Sequence, residues 1–189
     1  MSESFEAFRY QENLLPPLLQ TEVVSRLQGL TYEHQAYGPA ARARNYQGSD
    51  QILQRGYVQL GHAYEHTGEK RDYCEVIPDF LLDLIPIGLP VLGQVTDFNQ
   101  CVVMHYPVGT GVEWHTDGDR FGQVIMGVSL GGEGIMQFRR RGDDRISHHF
   151  SLMPGSIYIL RDEVRWHYQH RILPVTDERW SLTYRTIRV

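Results

Sequence analysis

Residues Phe98 to Asp119 read FNQCVVMHYPVGTGVEWHTDGD, and two patterns lie next to each other there. The first nine residues have the length and the β-branched and aromatic content of a strand, and proline and glycine punctuation follows it. WHTDGD then sets His115 and Asp117 two apart. Downstream the strand-like texture recurs in QVIMGVSL, GIMQF, ISHHFSL, SIYIL and WSLTYR. RRRGDD at 139–144 reads as a hairpin tip, and Met153-Pro154-Gly155-Ser156 as a tight turn. Short strands at this spacing predict a mainly β (α+β) fold, a double-stranded jelly roll.

Upstream, the spacing of Val23, Val24, Leu27 and Leu30 predicts a helix over 21–30, with Thr21 and Glu22 as cap and first-turn acid. RGYVQLGHAY at 55–64 alternates in part like a strand. PDFLLDLIPIG predicts a second helix from Pro78 that ends before Pro86, whose ring lacks a donor for the ladder. Both helices are expected to buttress one sheet. No repeat or linker interrupts the chain, so its 189 residues are expected to form a single domain. Within it, residues 1–97 would supply helices and a lid, and 98–189 the jelly-roll core.

Composition narrows the function classes. The chain has 41% hydrophobic and 22% charged residues, the balance of a globular protein. It carries neither a bilayer-length apolar run nor an export-signal pattern, so a cytoplasmic protein without membrane contact is expected. Cys74 and Cys101 alone write no disulfide framework and no thiolate zinc site. A net charge of −5 argues against wholesale coating of nucleic acid, which needs clustered cations, but leaves room for a local basic groove.

The His-x-Asp pair alone carries little: with 9 histidines and 23 acids in 189 residues, roughly one such triplet arises by chance. Its physics is suggestive all the same. Residues two apart in extended chain face one side, so His115 and Asp117 can aim at a shared ion. Two histidines and a carboxylate on one face of an octahedron suit ferrous iron, with positions open for a cosubstrate and oxygen. The third ligand must come from a distant strand, and His167 and His170 are the candidates. His170 is preferred, because Ile172 and a loop into an arginine-flanked strand follow it, whereas His167 follows bulky Trp166. In that strand Arg179 and Arg185 are six apart and share a face with Ser181 and Thr183, while Trp180, Leu182 and Tyr184 face the other way. Two such cations are either solvated or, if interior, in need of an anion such as a dicarboxylate beside a metal.

Taken in order, Phe98-Asn99, Tyr106-Pro107, Gly109, His115-x-Asp117, Ser129-x-Gly131, Phe138, Pro154-Gly155, His170-x-Ile172 and Arg179-x5-Arg185 resemble the AlkB-like Fe(II)/2-oxoglutarate-dependent dioxygenases. The resemblance covers about residues 98–188 and loosens before them, to a VxLGxxY run at 58–64 and IPxxLxxL at 77–84. It implies Fe(II) bound by His115, Asp117 and His170. It also implies 2-oxoglutarate held at its distal carboxylate by Arg179 and Tyr106, with Arg185 assisting at the metal-proximal carboxylate. One position departs from many relatives: Met104 stands where they carry asparagine, and it cannot donate an amide hydrogen bond.

The implied activity is hydroxylation of a substrate C–H bond with O2, giving succinate and CO2. The expected substrate is an alkylated nucleobase of DNA or RNA, single-stranded or flipped, as in DNA repair or RNA demethylation. The alternatives are a protein side chain, a small metabolite, or a metal-binding sensor module without turnover. Between Arg42 and Tyr73, arginines alternate with tyrosines and histidines, a composition suited to phosphates and stacked bases. Arg55, Tyr57 and Tyr64 are the candidate substrate contacts in that segment. The protein is expected to act as a monomer.

Overall fold

The computed structural model describes Phe5 and residues 7–34, 55–64, 70–93 and 96–187. Two antiparallel sheets face each other, as the strand pattern predicts. The larger holds β1 (Phe8–Gln11), β2 (Glu33–His34), β3 (Gly56–Tyr64), β4 (Lys70–Glu75), β5 (Gln100–Tyr106), β7 (Ile125–Gly131), β10 (Ile157–Leu160) and β12 (Arg179–Arg185). Its order is β1-β10-β7-β12-β5-β3-β2, with β4 also on β3. The smaller holds β6 (Val112–His115), β8 (Gly134–Arg140), β9 (His148–Leu152) and β11 (Tyr168–Ile172), in the order β6-β11-β8-β9. Neighbours in space are distant in sequence, which is the double-stranded β-helix topology of a jelly roll.

Strict alternation along the large sheet divides the core in two. Ile157, Ile159, Trp180, Leu182 and Tyr184 join Cys101, Val103, Met126, Val128 and Leu130 in a cluster packed beneath the helices. Tyr158 and Leu160, offset by one residue from that set, turn inward with Tyr106 and meet Met136, Phe138, Tyr168 and Ile172 of the small sheet. The same offset turns Arg179, Ser181, Thr183 and Arg185 into the space between the sheets.

The helices differ from expectation at their ends. Helix α1 spans Pro17–Gln28 and starts four residues before the predicted Thr21. Pro17 sits at the first helical position, where its missing N–H is not needed and its fixed φ suits the turn. Thr21 is thus interior and its hydroxyl donates to the Pro17 carbonyl, while Glu22 pairs with Arg26. Val23 and Leu27 are buried, as the periodicity predicts.

Pro86 likewise does not end the second helical segment. Three short helices follow one another, α2 (Asp79–Leu82), α3 (Leu84–Ile87) and α4 (Leu89–Leu92). Pro86 and Pro90 each lie in the first turn of a new helix, where no backbone donor is required. All three pack on the outer cluster through Leu81, Leu84, Val91 and Leu92. A further helix, α5 (Asp162–His167), was not expected at all; its six residues are too few for a readable period.

Candidate metal centre

β6 is an edge strand of the small sheet, and β11 lies beside it. Their register sets His115 directly opposite His170, with ring centroids 4.2 Å apart. Asp117 follows two residues after His115, in the loop beyond the strand. Metal-ligating atoms of His115, Asp117 and His170 all lie within 4.8 Å of one another, so these three side chains could hold one ion. His170 Nε2 is 3.6 Å from an Asp117 carboxylate oxygen. His115 Nδ1 donates to the Glu113 carbonyl at 2.8 Å, which fixes its tautomer and leaves Nε2 as a bare lone pair facing the cluster.

Electrostatics prepare these groups for a cation. Burial lowers the proton affinity of both imidazoles, and His170, further opposed by His115, is pushed down to about 3. Burial on its own would raise the Asp117 carboxyl. Electrostatic interaction with His170, Arg185, His115 and Arg165, of which the two arginines stay charged near neutrality, outweighs it and holds the group below the usual carboxylate range. A metal ligand must be deprotonated, and all three are presented in that state near neutrality.

The remaining rival, His167, is the last residue of α5 and is exposed. It is His170 that lies beside His115 and Asp117, for a reason absent from the sequence argument: the chain is helical up to His167 and extended only after it.

The inward face of β12 completes the site. Arg185 Nη1 lies 3.4 Å from Asp117 Oδ1. Arg179 is 1% exposed. It pairs in register with Tyr106, lies 5.0 Å over that ring, and donates through Nε to the Ser129 hydroxyl at 3.2 Å. Both of its terminal nitrogens, Nη1 and Nη2, are buried without a hydrogen-bond partner among the described residues. A Cβ on Gly134 would lie 2.6 Å from Arg179 Nε, so glycine is what lets the guanidinium enter this space. Burying half a guanidinium unpaired costs several kcal/mol, on the order of a lost charged contact. A carboxylate of a small dianion would remove that cost, which is the fit that 2-oxoglutarate requires.

Tyr158 packs across Gly127 on the same side, and burial keeps its phenol protonated far above neutrality. Met104 pairs in register with Ser181 and packs against the inner cluster. It gives the pocket an apolar wall where an amide would give a donor.

The expected substrate residues are only partly in view. Tyr57 pairs in register with Met104 and therefore shares its face, although its hydroxyl donates outward to Glu33. Arg55 reaches the Gly111 carbonyl at 3.4 Å, and its charge is felt at His115. The side chain of Tyr64, like Arg42, Arg44 and Tyr46, lies outside the described residues. Arg139 to Arg141 do approach a hairpin tip, but Arg139 stacks on Trp114 and bonds to Gln169. Sequence reasoning missed Arg165 and Tyr158. Arg165 is 2% exposed and donates to the carbonyls of Asp117 and Gly118. An unflagged helical turn hid the first, and the second read as one more strand aromatic.

Comparison with known proteins agrees with this geometry. Protein L905 of Acanthamoeba polyphaga mimivirus, itself uncharacterized, is 33% identical over 125 residues; the match spans 59% of each chain. Among solved structures, that of OsALKBH1 superposes with a TM-score of 0.70 at 17% identity, covering 95% of this chain and 98% of that one. A prolyl hydroxylase from Trichoplax adhaerens, in complex with a hypoxia inducible factor peptide fragment, gives 0.60 at 18% identity over 97% and 84%. A Pseudomonas putida prolyl-4-hydroxylase gives 0.58 at 17% identity over 98% and 95%. At these identities the structures speak to the fold, and the AlkB homologue shares it over nearly its whole length. The family profile of the 2OG-Fe(II) oxygenase superfamily matches residues 7–189, and the chain belongs to that superfamily, whose members depend on iron and 2-oxoglutarate.

Proposed function

We propose that this protein is a 2-oxoglutarate- and iron-dependent dioxygenase that removes alkyl groups from nucleobases of DNA or RNA. The observation that carries the chemistry is the buried, unpaired end of Arg179 in the same inter-sheet space as the His115, Asp117 and His170 cluster. In this reading those three residues hold Fe(II), and Arg179 with Tyr106 holds the far carboxylate of 2-oxoglutarate. Arg185 keeps Asp117 ionised and steadies the carboxylate nearer the metal. Iron and 2-oxoglutarate, when bound, supply the oxidising power that inserts one oxygen atom of O2 into a substrate C–H bond, with release of succinate and CO2.

The chain's own residues do the rest. Burial keeps the histidine lone pairs free, and the Glu113 carbonyl orients one imidazole. Tyr106, Tyr158 and Met104 wall the pocket from water. Hydroxylation of an N-methyl carbon gives N–CH2OH, which breaks its C–N bond to leave N–H and formaldehyde.

A nucleobase substrate is supported by the Arg55 cation close to His115, by Tyr57 on the face of β3 that continues from Met104, and by the better superposition on the AlkB homologue than on the prolyl hydroxylases. Hydroxylation of a protein side chain is the second reading, favoured by the match to prolyl hydroxylases over 97% and 98% of the chain. The two separate in one experiment. Purified protein with ferrous iron and 2-oxoglutarate is given methylated single-stranded DNA, methylated RNA, or proline-containing peptides. Formaldehyde equal to the succinate formed, with loss of the methyl group from one oligonucleotide, is expected. A hydroxylated peptide beside unchanged oligonucleotides would replace the first reading by the second.

A further inference from the structure

Two of the three candidate ligands sit on strands, but Asp117 does not. His115 ends β6 and His170 lies within β11, and the ladder between them fixes both. Asp117 stands two residues into a loop, where no sheet bond holds its backbone. Arg165 meets that need. Its Nη1 donates to the Asp117 carbonyl at 2.9 Å and its Nη2 to the Gly118 carbonyl at 2.7 Å. The side chain is 2% exposed, and its guanidinium stacks 4.2 Å from the Trp166 ring. A planar two-pronged donor suits two successive carbonyls; a lysine ammonium has one nitrogen for both.

The placement of Arg165 is itself costly. It comes from α5, whose first residue, Asp162, has φ of 49°, in the left-handed region that only a few residue types tolerate. Strain of this kind persists where surrounding contacts over-determine it. The chain then passes directly from α5 into β11, so one guanidinium joins the Asp117 loop to the segment that delivers His170.

We propose that Arg165 is a positioning residue of the metal centre: by clamping the Asp117 and Gly118 carbonyls it presents the Asp117 carboxylate, preorganised, to the two histidines, and so sets metal affinity. The inference rests on the metal-centre reading above. Its charge alone acts the other way, since a fixed cation beside the site repels a divalent ion. Outer contacts that orient ligands are worth about 10- to 100-fold in metal affinity.

The test uses the full chain and Co(II) as the metal, without substrate or cosubstrate, read by titration and by the visible absorption of the bound ion. Arg165→Lys keeps the charge and loses the fork; Arg165→Met loses both. With positioning, both variants bind Co(II) about 10-fold or more weakly and with an altered spectrum. Binding by both within two-fold of the parent, with its spectrum, overturns the inference. So does tighter binding by Arg165→Met with parental binding by Arg165→Lys, because charge would then be the whole effect. Circular dichroism well below the melting temperature confirms that the variant measured is folded, and Arg165→Lys alone decides if Arg165→Met is not. Failure of the parent protein to bind Co(II) would instead remove the metal-centre reading, an outcome separate from a failure of the clamp.

Discussion

Both faces of β12 are largely buried, with Thr183 on the inward one partly exposed, and they are built on opposite principles. Trp180, Leu182 and Tyr184 point outward into the cluster beneath the helices, where they pack among buried apolar side chains. Tyr184 even satisfies its hydroxyl, on the Leu81 carbonyl at 2.7 Å. Arg179, Ser181, Thr183 and Arg185 point inward, and Arg179 has two nitrogens without a hydrogen-bond partner among the described residues. Among the described residues the outer face leaves one neutral donor, the Trp180 indole nitrogen, without a hydrogen-bond partner, whereas the inner face leaves half of a charged guanidinium without one. Burial therefore identifies neither core nor site; a buried charge left without a partner does.

The largest effect expected from this contrast lies on the outer face. Leu182→Ala should destabilise the protein by about 2–5 kcal/mol, the cost of lost transfer plus cavity at a fully buried leucine. Metal affinity of the molecules that remain folded should not change. Denaturant unfolding beside a metal titration checks both, and a loss of affinity without loss of stability would break the distinction between the faces.

On the inner face the signs separate. Arg179→Met should weaken 2-oxoglutarate binding about 10- to 100-fold, the value of a charged hydrogen-bonded contact. The same substitution should leave the ligand-free protein as stable or more so, because an unpaired buried cation is replaced by an apolar chain of similar length. A cosubstrate titration and a melting curve on one preparation suffice. A less stable variant with unchanged cosubstrate affinity would make Arg179 a structural residue.

The smallest effect expected is a pH dependence confined to the inner space. His170 is held at about 3 by burial, whereas an unfolded imidazole titrates near 6.5. Between these values the unfolded chain binds a proton that the folded chain refuses, so stability of the metal-free protein rises with pH and is lost as pH falls through this window. His115, lowered for the same leading reason, adds in the same direction. Denaturation midpoints of metal-free protein at several values from pH 5 to 7 should fall towards the acid side. The slope should shrink in His170→Asn, and a slope unchanged by that substitution would place the titrating group elsewhere.

Much of this was legible in the residues. Six strands after residue 97 were readable because each alternates or is continuously apolar between strong turn signals, whereas β6 and β11 were not read as strands. The six-residue spacing of Arg179 and Arg185 set their common face. Less could be read where local signals are short or conflict: α5 spans six residues, and Pro86 reads as a break although it lies within the first turn of a helix. The edge strand β1 was missed for the same reason, with four residues and no period of its own.

By itself, the sequence determined the two faces of β12 and the jelly-roll class, because strand periodicity is a local property of the chain. Only the tertiary structure decided between His167 and His170, left Arg179 Nη1 and Nη2 without partners, and brought Arg165 onto the Asp117 backbone. Each of those outcomes depends on which distant segments become neighbours. Sheet pairing and the offset between the two sheets fix that, and no short stretch of residues encodes either one.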